Sequence, residues 1–190
     1  MKKIFAINGS PREGGNTAFM LKTVLDVCAS AGHEVEVYNA GGRAVHGCLG
    51  GCGYCTANPG KCVTDDWVNE VYAKIKAADA IVLGSPTYFA DITPELKALI
   101  DRCGVMSRRD GFCLSRKIGA GVVAVRRSGG IHALDSIAHF FQINDMIMPG
   151  STYWNMSIAG SLGSAEADEE GIRTMKRLGE NINWLLEKLD

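Results

Sequence analysis

The sequence predicts an α/β protein built on a parallel sheet with helices on both faces. Three observations lead there. Strand and helix signals alternate along the chain in five βα units. The central strands are unbroken apolar runs, the pattern of strands buried on both faces. The first of them runs directly into a glycine-rich turn and a helix, where parallel sheets bind ligands. Of 190 residues 46% are hydrophobic and 22% charged, enough apolar material for one ordinary core.

Taken in order, residues 2–8 form a buried strand. A helix over 17–30 follows, with Leu21, Val24, Leu25 and Cys28 on one face at the i, i+3, i+4, i+7 spacing. Residues 33–39 alternate, with Val35 and Val37 between Glu34, Glu36 and Tyr38, which predicts a half-exposed edge strand. A helix near 65–77 presents Val68, Val71, Tyr72 and Ile75. Ala80-Ile81-Val82-Leu83 is the third strand. Thr93-Pro94-Glu95 starts a helix with a hydroxyl cap, proline at the first helical position and an acid in the first turn, running to about Arg102. Residues 117–126 make the fourth strand. Leu134, Ile137, Ala138 and Phe141 mark another helix, and Met146-Ile147-Met148 a short fifth strand ending at Pro149-Gly150. The final helix covers about 165–188, with Glu166, Asp168, Glu169 and Glu170 near its positive end. One domain over 1–190 is expected, with a cysteine-rich loop inserted at about 41–64. The irregular stretches 40–63, 103–116 and 150–164 are expected to carry function or subunit contacts.

Composition narrows the function. Lys and Arg number 20 against 21 Asp and Glu, a net charge of −1 with no basic cluster, so nucleic acid is not expected as a partner. Met1-Lys2-Lys3-Ile4 begins like a signal peptide, but the apolar run stops at Asn8-Gly9-Ser10-Pro11, too soon for an export signal. No stretch approaches the ~20 apolar residues of a membrane span. A cytoplasmic protein without a membrane partner is expected.

The loop Gly9-Ser10-Pro11-Arg12-Glu13-Gly14-Gly15-Asn16-Thr17 follows the first strand. Its glycines let backbone N–H groups curl inward, Ser10, Asn16 and Thr17 add donors, and Arg12 adds charge at a helix N-terminus. Neither the P-loop nor the Gly-x-Gly-x-x-Gly pattern is present, so a single phosphate ester fits better than a nucleotide polyphosphate or dinucleotide. An ordinary capped turn is the plainer alternative. After the third strand, Gly84-Ser85-Pro86-Thr87-Tyr88-Phe89 offers amides, a hydroxyl and two aromatics suited to a flat conjugated ring, or simply to a core pair. Arg126-Arg127-Ser128-Gly129-Gly130 is a third polar loop.

Four of seven cysteines lie within fifteen positions, as Cys48-x3-Cys52-x2-Cys55-x6-Cys62. In a chain without an export signal such clustering points to metal or redox chemistry rather than disulfides. An iron–sulfur cluster, structural zinc, a Cys52/Cys55 redox dithiol and free thiols all remain open. Cys28 and Cys103 fall at apolar helical positions and read as packing. His46 reads as a solvated loop residue rather than a ligand, His132 as either a flavin contact or a surface residue at a helix start, and Trp154 as packing or interface rather than catalysis.

On these residues the chain resembles the flavodoxin-like, NADPH-dependent FMN reductase superfamily, and within it the iron–sulfur flavoprotein branch. The carrying motifs are Gly9-Ser10-Pro11-Arg12 with Gly15-Asn16-Thr17, and Ser85-Pro86-Thr87-Tyr88-Phe89. Asp101-Arg102, Lys117-Ile118-Gly119-Ala120 and Pro149 to Asn155 also agree. The resemblance implies a flavodoxin-like three-layer sandwich with strand order 2-1-3-4-5. It implies that Ser10, Arg12, Gly15, Asn16 and Thr17 hold the FMN phosphate, that Pro86, Thr87, Tyr88 and Phe89 border the ring and ribityl chain, and that Arg127, Ser128, Gly129 and Gly130 approach the ring edge or a partner subunit. It implies a [4Fe–4S] cluster on Cys48, Cys52, Cys55 and Cys62, although the branch has two residues, not three, before the second cysteine. Glycines in Leu49-Gly50-Gly51 offer a way to absorb the extra one. The expected activity is flavin-dependent oxidoreduction with NAD(P)H or ferredoxin as donor, a small-molecule electron acceptor and a dimeric or tetrameric assembly. No side chain need be catalytic, because the cofactor carries the chemistry. A cluster-free NAD(P)H-dependent FMN or quinone reductase and a non-enzymatic electron carrier are the alternatives. A zinc-stapled flavin-binding module is a third.

Overall fold

The computed structural model describes residues 1–189. Five strands form one all-parallel sheet: β1 (Lys3–Asn8), β2 (Glu34–Asn39), β3 (Ala80–Pro86), β4 (Ile118–Val125) and β5 (Met156–Ile158), in the order β2-β1-β3-β4-β5. The expected sandwich and strand order are found. The helices are α1 (Asn16–Ser30), α2 (Tyr54–Ala57), α3 (Trp67–Ala77), α4 (Pro94–Arg109), α5 (Gly130–Ile143) and α6 (Glu169–Lys188).

Strand alternation divides the core in two. Ile4 and Ala6 of β1 face α1 and α6, meeting Leu21, Val24, Met175 and Leu178. Phe5 and Ile7 face the other layer, meeting Val71, Leu96, Leu99 and Ile137 of α3, α4 and α5. Successive residues of a strand point to opposite faces, so an apolar run of this kind needs cover on both. β2 is at the edge and half exposed, as its charged alternation requires.

Three boundaries differ from expectation. The fifth strand is Met156–Ile158, not Met146–Met148. Ile147 makes a single bridge to Ile118 at the start of β4. The chain then leaves the edge at Pro149, which has no N–H to give a ladder, and returns at Met156 opposite Val123. α4 continues past Arg102 because Leu99, Cys103 and Met106 extend its buried stripe. α6 begins at Glu169, after a 3₁₀ turn over Ser164–Ala167, because the Asp168 side chain accepts the Gly171 N–H and caps it. Thr93 stands at the N-cap of α4, but its hydroxyl makes no cap bond.

Candidate functional site

The C-terminal ends of β1, β3, β4 and β5 surround a cavity of about 240 Å³. Its wall includes Ser10, Arg12, Asn16 and Thr17 from the first loop, with Pro86, Thr87 and Tyr88 from the third. The backbone of the first loop is fixed locally. Gly9 N–H donates to the Gly84 carbonyl (2.8 Å), Ser10 N–H to Asn8 Oδ1 (3.0 Å), and Arg12 N–H to Ser10 Oγ (3.2 Å). α1 opens without a side-chain cap among the described residues and without an acid in its first turn. Its first helical bond runs from Phe19 N–H to Gly15 O (3.0 Å). The Asn16, Thr17 and Ala18 N–H groups therefore have no intrahelical acceptor, the arrangement that favours an anion. Thr87 contributes a buried hydroxyl with no hydrogen-bond partner among the described residues. An orphaned donor and an uncapped helix in one cavity fit a phosphorylated polar ligand such as FMN.

Other expected residues sit differently. The Asn16 side chain donates to the Ala159 (3.2 Å) and Ser161 (2.7 Å) carbonyls and accepts the Ala165 N–H (3.2 Å). It holds the loop after β5 in place, leaving its backbone N–H as the group free for phosphate. Phe89 does not line the cavity. It sits with Ala90 at the tip of a tight turn closed by reciprocal Tyr88–Asp91 backbone bonds, both at positive φ, and its ring is fully exposed. Arg127 and Ser128 are exposed and outside the wall, where Arg126 takes the place expected of them. Gly129 packs against Ala90 and Thr87, close enough that a Cβ would lie 2.7 Å from Ala90 Cα, and Gly130 opens α5. Ala159, Gly160 and Leu162 complete the wall unanticipated individually. Their only signal was the irregular stretch 150–164.

The cysteine loop lies beside this cavity. Its base crosses the first loop so closely that a Cβ on Gly41 would stand 2.2 Å from the Ser10 carbonyl carbon. α3 and α4 clamp both limbs. Trp67 Nε1–H donates to Ala44 O (2.9 Å), and Asn69 bonds the Cys62 N–H (2.8 Å) and carbonyl (3.3 Å). Between the clamps, Gly50 and Gly51 take consecutive left-handed conformations (φ 57° and 60°). Cys48, Cys52, Cys55 and Cys62 line one small cavity against Arg102, Val105 and Met106 of α4. Among the described residues no three His, Cys, Asp or Glu side chains converge tightly enough for a single metal ion. Four thiols around one space nonetheless match the donor set of a cluster wider than one ion. Cys28 and Cys103 are buried, which pushes the Cys28 thiol up to about 12 and the Cys103 thiol up as well, so neither supplies thiolate.

Arg102 brings a charge to the wall of this small cavity. Its side chain is fully buried, with Nη1 donating to Asp66 Oδ2 (2.6 Å) and His46 O (3.3 Å), and Nη2 to Thr64 O (3.0 Å). Burial pushes its pKa down, but hydrogen bonding to Asp66 and Cys62 outweighs burial and leaves it above the ordinary value.

The sequence pattern of the NADPH-dependent FMN reductase family matches residues 2–161. The chain belongs to that family. It is a flavin-dependent oxidoreductase that binds FMN. Among its relatives, an iron-sulfur flavoprotein of Methanocaldococcus jannaschii is 35% identical over 187 residues, covering 95% of each chain. An iron-sulfur flavoprotein of Methanosarcina thermophila is 34% identical over 188 residues, covering 97% of this chain and 95% of that one. Among solved structures, RosB with a bound 8-demethyl-8-formylriboflavin-5′-phosphate superposes at a TM-score of 0.81 and 16% identity. That match covers 100% of this chain and 80% of RosB, and it speaks to the fold alone.

Proposed function

We propose that FMN occupies the cavity at the strand ends, phosphate toward Ser10, Arg12 and the α1 N-terminus, and that Cys48, Cys52, Cys55 and Cys62 hold a [4Fe–4S] cluster. The observation that carries this reading is that all four cysteines line one space on a loop whose base touches the phosphate loop. The names of the relatives support it. Bound together, the two groups supply exchange between two-electron and one-electron partners. The protein's part is positional. The uncapped α1 N-terminus holds the phosphate, Thr87 and the backbone after β3 orient the ring, and the α3 and α4 clamps fix the loop.

The donor in this reading is NAD(P)H or a ferredoxin, and the acceptor a small molecule. A homo-oligomeric assembly is part of it, supported by exposed Tyr153, Trp154, Ile158 and Leu162 on the segment that borders the cavity. Among the described residues no helix is long and apolar enough to cross a membrane.

A cluster-free reductase is the second reading. It is favoured by the lack, among the described residues, of any group of side chains set for a single metal ion. One sample separates the two. Anaerobically purified protein is assayed for iron, acid-labile sulfide and zinc, and its absorption spectrum recorded. Flavin bands with about four irons and four sulfides per chain support the cluster. Flavin bands with neither iron nor sulfide overturn it and put the cluster-free reductase first.

A further inference from the structure

Arg102 has more donors than the protein uses. A guanidinium carries five N–H groups in a fixed fork. The bonds to Asp66, His46 and Thr64 occupy Nη1 and Nη2. Nε is buried and has no hydrogen-bond partner among the described residues. Its side chain is 0% exposed, so water does not serve it either. A buried N–H left without an acceptor costs about 1–3 kcal/mol, more on a charged group, and the sulfur that stands beside this guanidinium is that of Cys62.

The surroundings say where that acceptor lies. Arg102 forms part of the wall of the four-cysteine cavity, and the Cys62 side chain is beside its guanidinium. Clamping the loop limbs accounts for both Nη atoms. Asp66 balances the buried charge, and Nε is what remains unexplained. A cluster bound through four thiolates is net negative and becomes more so on one-electron reduction. Its sulfurs accept hydrogen bonds, and those bonds set its potential.

We propose that Arg102 Nε–H donates a hydrogen bond to a sulfur of a cluster held by the four cysteines, and that it raises the cluster's reduction potential by favouring the more negative, reduced form. The proposal rests on the cluster reading above. Arg102 would then act twice, as the clamp of both limbs through Nη1 and Nη2 and as the tuning contact through Nε.

The test uses full-length protein grown with arginine labelled with ¹⁵N at Nε, purified anaerobically and reduced. Iron and sulfide are assayed first. Their absence overturns the cluster reading and this proposal together. With about four of each present, pulsed paramagnetic resonance of the reduced cluster is expected to show coupling to an arginine ¹⁵N. No coupling in the loaded wild-type protein overturns the Arg102 proposal and leaves the cluster reading standing. In Arg102→Lys and Arg102→Gln the coupling is expected to vanish. The cluster's midpoint potential is expected to fall in Arg102→Gln while that of FMN holds. A loaded variant with unchanged cluster potential overturns the tuning role. If both variants fail to fold, the wild-type coupling still decides.

Discussion

Thr87 keeps a hydroxyl buried in the cavity wall with no partner among the described residues. If that hydroxyl serves a ligand, replacing it by a methyl costs binding but not folding. Thr87→Val is expected to raise the dissociation constant for FMN about fivefold, ~1 kcal/mol. The melting temperature of the apoprotein should hold or rise. Flavin-fluorescence titration and thermal melts check both, and a loss of apo stability would assign the hydroxyl to the protein instead. Gly41 is the opposite case, a position with no room. Its Cβ would meet Ser10 and Pro11 backbone atoms at 2.2–2.4 Å, and backbone cannot swing aside as a side chain can. Gly41→Ala is expected to cost about 1–3 kcal/mol and to weaken FMN about tenfold, read by urea denaturation and the same titration. Thr87 was named in the sequence through its motif, but the constraint on Gly41 was not legible there. Ser10, Arg12 and Thr17 were found from their types and spacing. Gly41 depends on where a loop thirty residues away passes. Asn16 has the right type for a phosphate donor, yet its amide is consumed by carbonyls of residues 159 and 161, contacts that local spacing does not encode.

At the scale of elements, α6 and β5 are tied by one carboxylate. Asp168 accepts from Gly171 N–H (3.0 Å), Ser157 Oγ–H (2.6 Å) and Ile158 N–H (3.1 Å). Burial works to raise its pKa, but these donors outweigh burial and hold it below the ordinary 3.8. A carboxylate with a depressed folded-state pKa contributes stability above its unfolded value, and that contribution is lost as pH falls through the folded one. Asp168→Ala is therefore expected to lose about 1–2 kcal/mol near neutral pH. The gap from wild type should narrow below about pH 4, as followed by denaturant melts across that range. A gap that persists in acid would mean the carboxylate's charge is not what matters. The same region shows why one strand was misplaced. Met146-Ile147-Met148 has the apolar character of a strand and touches β4 through Ile147. The true β5 is three residues long, with Ile158 exposed, and carries almost no periodic signal. Long elements buried on one stripe, such as α1 and α3, were legible because their pattern repeats over several turns.

For the whole molecule, the two-layer cover follows from apolar strands alternating with amphipathic helices and was readable from them, whereas the sheet order was implied only by the family resemblance. The cysteine loop is an addition to that frame. It draws Cys55 and Cys62 only partly against the core, and its clamps are side chains outside the cysteine set. Replacing Cys48, Cys52, Cys55 and Cys62 together by Ser is accordingly expected to preserve the far-ultraviolet dichroism and the flavin-to-protein ratio while abolishing any bound iron and sulfide. Loss of flavin in that variant would make the loop part of the FMN site rather than its neighbour. The crossing at Gly41 has a consequence for descent as well. A lineage that discarded its four cysteines would not thereby free this glycine, because the constraint comes from Ser10 and Pro11. The loop would have to be shortened or rerouted first. A chain with serines at 48, 52, 55 and 62 would thus still need glycine at 41 for as long as its loop crosses Ser10 and Pro11.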